Sequence, residues 1–251
     1  VLESSKLDEM DPELLAGLVK NVHVFARVSP ANKLQIVQAL QDAGKVVAMT
    51  GDGINDGPAL KAADIGVAMG GEGTNVARSV SDVVLEDDNL HTMTVAVRQG
   101  RTIYNNIRKM IHFMVSTNLT EIEVMLAGIA MGLGQPMNPM QLLWINLVTD
   151  IFPGLALSME PAEPDIMERV PRDPDEAIIE GRDLKRMTFE SGIIGVGTMG
   201  AYLWGMKRYG GGAAASTMAF NSLTLNELAH SFSSRSSHRN VFTGRSSMPP
   251  N

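Results

Sequence analysis

The chain has 251 residues, with 21 Lys and Arg against 28 Asp and Glu, a formal charge of −7 and no cysteine. That balance is not the basic footprint of a nucleic-acid binder, and the missing thiols exclude disulfides and thiolate metal sites. A mean hydropathy near zero hides two unlike parts: residues 1–100 mix charged and apolar residues as soluble domains do, whereas 107–233 contain long, weakly charged stretches.

In chain order, Asp11–Lys20 (DPELLAGLVK) reads as a capped helix and His23–Ala26 (HVFA) as a short strand. Ser29–Gly44 has the marks of a helix: Ser29 at the N-cap, Pro30 at the first position, apolar Leu34, Ile36, Val37 and Leu40, then Gly44 just past the end. Lys45–Met49, Asp64–Met69 and Asp82–Leu85 read as strands. Strands alternating with helices predict a parallel α/β sheet, and ligands of such sheets sit beyond the carboxyl ends of the strands. From about Asn89 a long helix is expected. Beyond it, four stretches approach the roughly 20 mostly apolar residues that a bilayer span needs: 110–132, 138–157, 188–206 and 213–233. The turn LGQPMN makes the first two a tight hairpin, and 158–187 is a polar, proline-rich loop. That loop carries Arg169, Arg172, Arg182, Lys185 and Arg186, so positive-inside bias puts the α/β part, the loop and the tail at 234–251 in the cytosol. The start at Val1 has no signal-peptide pattern and reads as the middle of something longer.

Two candidate sites emerge. The first is MTGDGINDGPAL, Met49–Leu60. Asp52 and Asp56 at a strand's carboxyl end offer hard oxygen ligands suited to Mg²⁺. Gly51 and Gly53 let the backbone approach a phosphate, Asn55 donates to it without adding charge, and Lys33 supplies a compact cation. A mere tight turn with solvated acids would explain an isolated Asp-Gly but not the whole string. The second site lies in the apolar half. Ionisable groups inside spans cost about 2.5–3.5 kcal/mol each, which makes them functional candidates by default. Asn118 and Glu121 lie one helical turn apart; Asn146, Thr149 and Asp150 fall in WINLVTD; Glu227 has Asn226 and His230 nearby. Several oxygens, some of them carboxylate, suit a hard cation better than Zn²⁺ or Cu²⁺. The alternative is that they are interhelical hydrogen-bonding groups.

VFARVSPANKLQIV, AMTGDGINDGPALKAADIGVAMG and SDVVLEDDNL resemble the distal half of the phosphorylation domain of P-type cation ATPases. The stretch QLLWINLVTDIFPGLALSMEPAEPDIMERVPRDP is similar to the family's calcium-pump branch. The resemblance implies an α/β, haloacid-dehalogenase-like partial phosphorylation domain at 1–106. An all-α transmembrane bundle of four spans at 107–233 would follow it, making an integral membrane protein in contact with the lipid bilayer. It implies Mg²⁺ as cofactor, ATP as substrate and Ca²⁺ as the transported ion. Asp52 would ligate Mg²⁺ directly and Asp56 would serve the Mg²⁺ and phosphate site. Lys33 and Asn55 would contact the phosphoryl group, with Thr50, Gly51 and Gly53 forming the turn that binds it. Asn118, Glu121, Asn146, Thr149, Asp150 and Glu227 would match cation ligands of two-site calcium pumps.

This sequence departs from the family at Gly57, usually Ala, at Val170, in a usual Pro-Pro-Arg, and at Glu123, usually apolar. Glu123 lies about 200° around the helix from Glu121 and is expected to face another helix. The family's Asp-Lys-Thr-Gly-Thr string, actuator loop, nucleotide-binding domain and first four spans have no match in these 251 residues. The chain is therefore expected to be a piece that, alone, forms no phosphoenzyme. The alternatives are a membrane-anchored phosphatase of the same fold and a non-catalytic membrane remnant.

Overall fold

The computed structural model describes residues 2–3, 15, 17–19, 21–71 and 73–235. Most of the helix expected at 11–20, and the tail beyond Arg235, lie outside the described residues. The chain divides into two compact units, Val1–Val97 and Arg98–Asn251.

In the first unit, β1 (Leu2–Glu3) pairs in parallel with β2 (Phe25–Ala26). Helix α1 (Pro30–Asp42) begins as its sequence dictates. The Ser29 side chain accepts from the Asn32 backbone N–H at 3.2 Å, and the Asn32 side chain accepts from the Ser29 N–H at 3.1 Å. That reciprocal pair satisfies two of the donors a helix start leaves open. Gly44, at φ +76°, follows the helix end. Leu15, Val19 and Ala39 form a small core there with Phe25, Ile36 and Leu40.

Three further strands, β3 (Ala48–Gly51), β4 (Ile65–Met69) and β5 (Val83–Leu85), form a parallel sheet in the order β3-β4-β5. Thr50 pairs with Val67 and Met69 with Leu85. β3 starts three residues later than the expected Lys45. The Val47 N–H donates to the Asp64 carboxylate, seventeen residues on, at 2.8 Å instead of to a neighbouring strand. The shift carries the strand to Gly51, so Asp52 stands at its exit. A 3₁₀ turn (Ile54–Asp56) leads into α2 (Gly57–Ala62), and α3 (Asn75–Val80) connects β4 to β5. Leu60, Ala68 and Ala77 form the core of this layer.

Helix α4 (Leu90–Ala130) buries Thr102, Asn106, Lys109, Phe113, Thr117, Glu121, Val124 and Gly128. These positions recur every three or four residues, one continuous helical stripe. The second apolar stretch is not one regular helix. It runs as α5 (Pro139–Trp144), a π-helical turn (Ile145–Asp150) and α6 (Ile151–Ser158). Pro153 has no N–H for the Thr149 carbonyl four residues back, and its ring crowds that carbonyl, so α-helical bonding fails there. Helices α7 (Gly181–Tyr209) and α8 (Ala213–Ser234) are joined by Gly210, Gly211 and Gly212, all at positive φ. They pack closely: a Cβ on Gly205 would stand 2.9 Å from Ala215 Cα. Among the described residues, two helical stretches, Leu90–Ala130 and Pro139–Ser158, are long and apolar enough to cross a membrane.

The loop expected at 158–187 is shorter, 159–180, because α6 runs to Ser158 and α7 already starts at Gly181 behind the Glu180 cap; with the first turn of α7 it is tied to α4 turn by turn. Asn106 donates to the Ser158 and Glu160 carbonyls at 3.3 and 2.7 Å, and Arg101 to those of Ile166 and Arg169 at 3.0 and 2.9 Å. Arg108 bonds Asp183 at 2.8 Å, and Arg172 lies 4.4 Å over the Tyr104 ring. Deepest is Lys109, 7 % exposed, which meets Glu163 at 2.7 Å; Arg169 holds the other oxygen of the same carboxylate.

Two packing tests follow from these observations. A Cβ on Gly57 would meet only Val80 Cγ2, at 4.0 Å, in ordinary contact, whereas one on Gly66 would meet the Leu60 carbonyl oxygen at 2.5 Å. Gly57→Ala should raise stability by about 0.5–1 kcal/mol by relieving a helical glycine, and Gly66→Ala should lower it by about 1–3 kcal/mol. Hydrogen exchange of the β4 amides in the intact chain reads both. Loop docking supplies a pH test. Burial pulls the Glu163 carboxyl up, but Lys109 and Arg169 outweigh it and hold the group below its ordinary range. A carboxylate lowered on folding stabilises above its unfolded pKa and loses that contribution as pH falls through the folded one. An acid-active protease should therefore leave the 158–187 loop intact at about pH 5 and cut it in stronger acid. Glu163→Gln strands the buried Lys109, costs about 3 kcal/mol, and should expose the loop already at about pH 5.

Candidate functional site

The phosphate-type corner is built where β3 ends. Lys33, in the first turns of α1, forms an ion pair with Asp56 Oδ1. Asp56 is 4 % exposed, and its other oxygen accepts from the Gly53 N–H at 3.4 Å. Burial alone would raise this carboxyl, but the Lys33 hydrogen bond and charge and the Gly53 N–H hold it below its usual range. Gly51 is required by space: a Cβ there would lie 2.6 Å from Asp56 Cβ and 2.9 Å from its Oδ2. Thr50, Asp52 and Asn55 have exposed side chains, while the Asp52 carbonyl accepts from the Thr74 N–H at 2.9 Å. The turn therefore has a fixed, charge-compensated floor, Asp56 with Lys33, and an open rim of Thr50, Asp52 and Asn55.

The second site lies within the helices of the other unit. Glu121 on α4 accepts from Asn146 Nδ2 with both oxygens, at 3.1 and 2.9 Å, and the same amide reaches the Leu142 carbonyl at 3.0 Å. Asp150, 1 % exposed, accepts from Thr117 Oγ1 at 3.2 Å through Oδ2. Its Oδ1 is buried without a hydrogen-bond partner, as are both carboxyl oxygens of Glu227 on α8, a fully buried residue. Thr149 is buried beside Asp150 in the π turn. π turns frequently mark functional positions, and this one presents its residues out of helical register. Helix α8 packs against both the π turn and α6.

Not every expected residue joins this cluster. Asn118 is exposed and folds its amide back onto the Met114 carbonyl at 2.7 Å. Asn226 turns toward Ser222, at 3.4 Å, and toward Gly197 on α7. Glu123 does face another helix: its carboxylate accepts from Ser191 Oγ of α7 at 3.1 Å. Thr117 was not singled out in the sequence, although its place four residues before Glu121 puts it on the same face.

A parallel sheet with an acidic turn at the end of β3 in one unit and buried acids among long helices in the other are the arrangement expected of a region of a transport ATPase. Comparison with known proteins agrees. Residues 10–64 match the haloacid dehalogenase-like hydrolase model, and residues 134–251 match the model for the cation-transporting ATPase C-terminus. A calcium-transporting ATPase of Bacillus subtilis is 45 % identical over 94 % of this chain, covering 27 % of the relative. Calcium-transporting ATPase 1 of Bacillus cereus is 40 % identical over 97 % of the chain and 29 % of the relative. Calcium-transporting ATPase 1 of Yarrowia lipolytica is 40 % identical over 96 % of the chain and 26 % of the relative. The chain belongs to the P-type cation-transporting ATPases and spans somewhat over a quarter of the length of these relatives.

Unpartnered buried acids carry a stability cost. Replacing Glu227 by Leu removes two unpaired buried oxygens, and apolar replacement of buried ionic groups is often stabilising by about 1–4 kcal/mol. In detergent and with divalent ions chelated, Glu227→Leu should unfold at higher temperature than the parent chain, read by differential scanning fluorimetry.

Proposed function

We propose that these residues form part of an ATP-driven, Mg²⁺-dependent cation pump whose transported ion is Ca²⁺. The single observation that carries this reading is the set of orphaned oxygens, Asp150 Oδ1 and Glu227 Oε1 and Oε2, buried among helices. A buried charge is tolerated only when paired or coordinated, and Ca²⁺ takes six to eight oxygen ligands. Glu121, Asn146, Thr149, Asp150 and Glu227 offer such oxygens, and the Thr149 carbonyl, without a Pro153 N–H to bond, adds one more of the right type. Asn118 joins them in this proposal through a side chain that leaves the Met114 carbonyl. The four helical stretches at 110–132, 138–157, 188–206 and 213–233 are proposed to cross the bilayer, with the α/β unit, the 158–187 loop and the tail in the cytosol.

In the α/β unit the donors fit Mg²⁺: Asp52 and Asp56 supply carboxylates, and Gly51 leaves the space that their approach needs. Bound there, Mg²⁺ would neutralise charge on a phosphoryl group. Lys33 holds Asp56 ionised and offers a cation, Asn55 donates, and Thr50, Gly51 and Gly53 let the turn close on phosphate oxygens. The phosphoryl acceptor, the actuator, the nucleotide-binding domain and the first four spans are assigned to the rest of the pump. By themselves these 251 residues should accept no phosphate from ATP, because nucleophile, Mg²⁺ and cation clamp must be assembled together. Helix α4 is the proposed transmission between phosphate chemistry and the ion cluster.

The test is ion-by-ion stimulation of ATP hydrolysis in the complete protein. Ca²⁺ should stimulate it most, and Asp150→Asn should abolish that stimulation. Undiminished Ca²⁺-stimulated turnover in Asp150→Asn would remove the buried cluster from the transport path.

A further inference from the structure

Three side chains far apart in sequence meet in the helical unit, none of them among the carboxylates assigned to the transported ion. His112 on α4, Glu190 on α7 and His230 on α8 present donor atoms that all lie within 4.8 Å of one another. His112 Nε2 is 2.6 Å from Glu190 Oε2, and His230 Nε2 is 3.8 Å from the same oxygen. His230 is 8 % exposed, and its Nε2 has no hydrogen-bond partner. Its ring is held by stacking on Phe113, with centroids 5.9 Å apart and planes 24° apart. Arg186 Nε binds the other Glu190 oxygen, Oε1, at 2.7 Å, and so leaves Oε2 to the two imidazoles.

We propose that His112, Glu190 and His230 form a binding site for a divalent transition-metal ion of the Zn²⁺ type. Two imidazoles and one carboxylate with a fourth position open make a donor set that Zn²⁺ takes, at about 2.0–2.2 Å from each atom. Ligands of one tetrahedral ion at those lengths stand about 3.3 Å apart, so the three donors need shift by less than about 1 Å. The nitrogen donors separate this site from the oxygen-only cluster around Glu121, Asp150 and Glu227, which suits a hard cation instead. Arg186 then acts as the outer partner that orients the ligating carboxylate. The fourth position is reached from the side of His112, which lines a cavity of about 740 Å³ together with Arg108, Lys109, Arg186 and Ser233. An ion here braces α4, α7 and α8 against one another. The sequence gives no spacing signal for it, because each helix contributes a single ligand.

The detergent-solubilised chain, titrated with Co²⁺ alone, tests the site. We expect one equivalent to give the intense visible bands of four-coordinate cobalt, displaced by Zn²⁺ but not by Ca²⁺. His112→Gln, Glu190→Gln and His230→Gln should each weaken Co²⁺ binding at least about tenfold, since removing even an outer partner of a metal ligand costs that much. Asp150→Asn, Glu227→Gln and the exposed control His91→Gln should leave it unchanged. Absence of the four-coordinate spectrum, or binding unmoved by the histidine variants, overturns the proposal. X-ray absorption at the zinc edge of the unmodified chain gives an answer even if a variant does not fold: two imidazoles in the shell support the site, and a shell without imidazole rejects it. Loss of Ca²⁺-stimulated turnover elsewhere would leave these readouts untouched.

Discussion

The helical unit is organised around the burial of acid without compensating base. Glu227 is fully buried and Asp150 nearly so, and three of their four oxygens have no hydrogen-bond partner. Placing such groups in a low-dielectric interior costs several kcal/mol unless a cation or a proton arrives. The surroundings are arranged to bear that cost. Gly205 lets α7 and α8 approach to the point where a Cβ would clash with Ala215, and Phe113, Val124 and Leu223 fill the space between the helices. Asn146 and Thr117 satisfy Glu121 and one Asp150 oxygen, but leave the rest open.

The 158–187 loop shows the opposite treatment of charge. Lys109, Glu163 and Arg169 form a buried network in which each charge faces its opposite, and Arg108, Asp183 and Glu176 repeat the pattern nearer the surface. The carbonyls of Ser158, Glu160, Ile166 and Arg169 are taken up by Asn106 and Arg101, so part of a segment with little regular structure is satisfied by α4. The result is a loop fixed to α4 by hydrogen bonds and ion pairs, whereas Asp150 in the π turn and Glu227 on α8 keep unpartnered oxygens.

Most of this was legible in the sequence where the signal is local. Ser29, Pro30 and Gly44 bound α1 through capping chemistry, and the glycine at position 51 of Met49–Leu60 is needed because a Cβ there would meet Asp56. The start of β3 was less legible, since the Asp64 side chain that captures the Val47 N–H lies seventeen residues on. WINLVTD was read as helical oxygen ligands, but the π turn was not, because the proline responsible lies outside it. Asn118 shows the same limit: spacing places it one turn from Glu121, while its amide prefers the Met114 carbonyl. Contacts between distant helices, such as Glu123 with Ser191, were foreseen only as a direction around the helix.

The two sites differ in how finished they are. In the α/β unit Asp56 already has its counter-charge in Lys33, and Gly51 leaves room for its side chain. Asp52 and Asn55 on the rim remain free to engage. In the helical unit Asp150 and Glu227 lack such a partner. Glu227 is the extreme case, because no neighbouring side chain hydrogen-bonds either of its oxygens and the residue is fully buried.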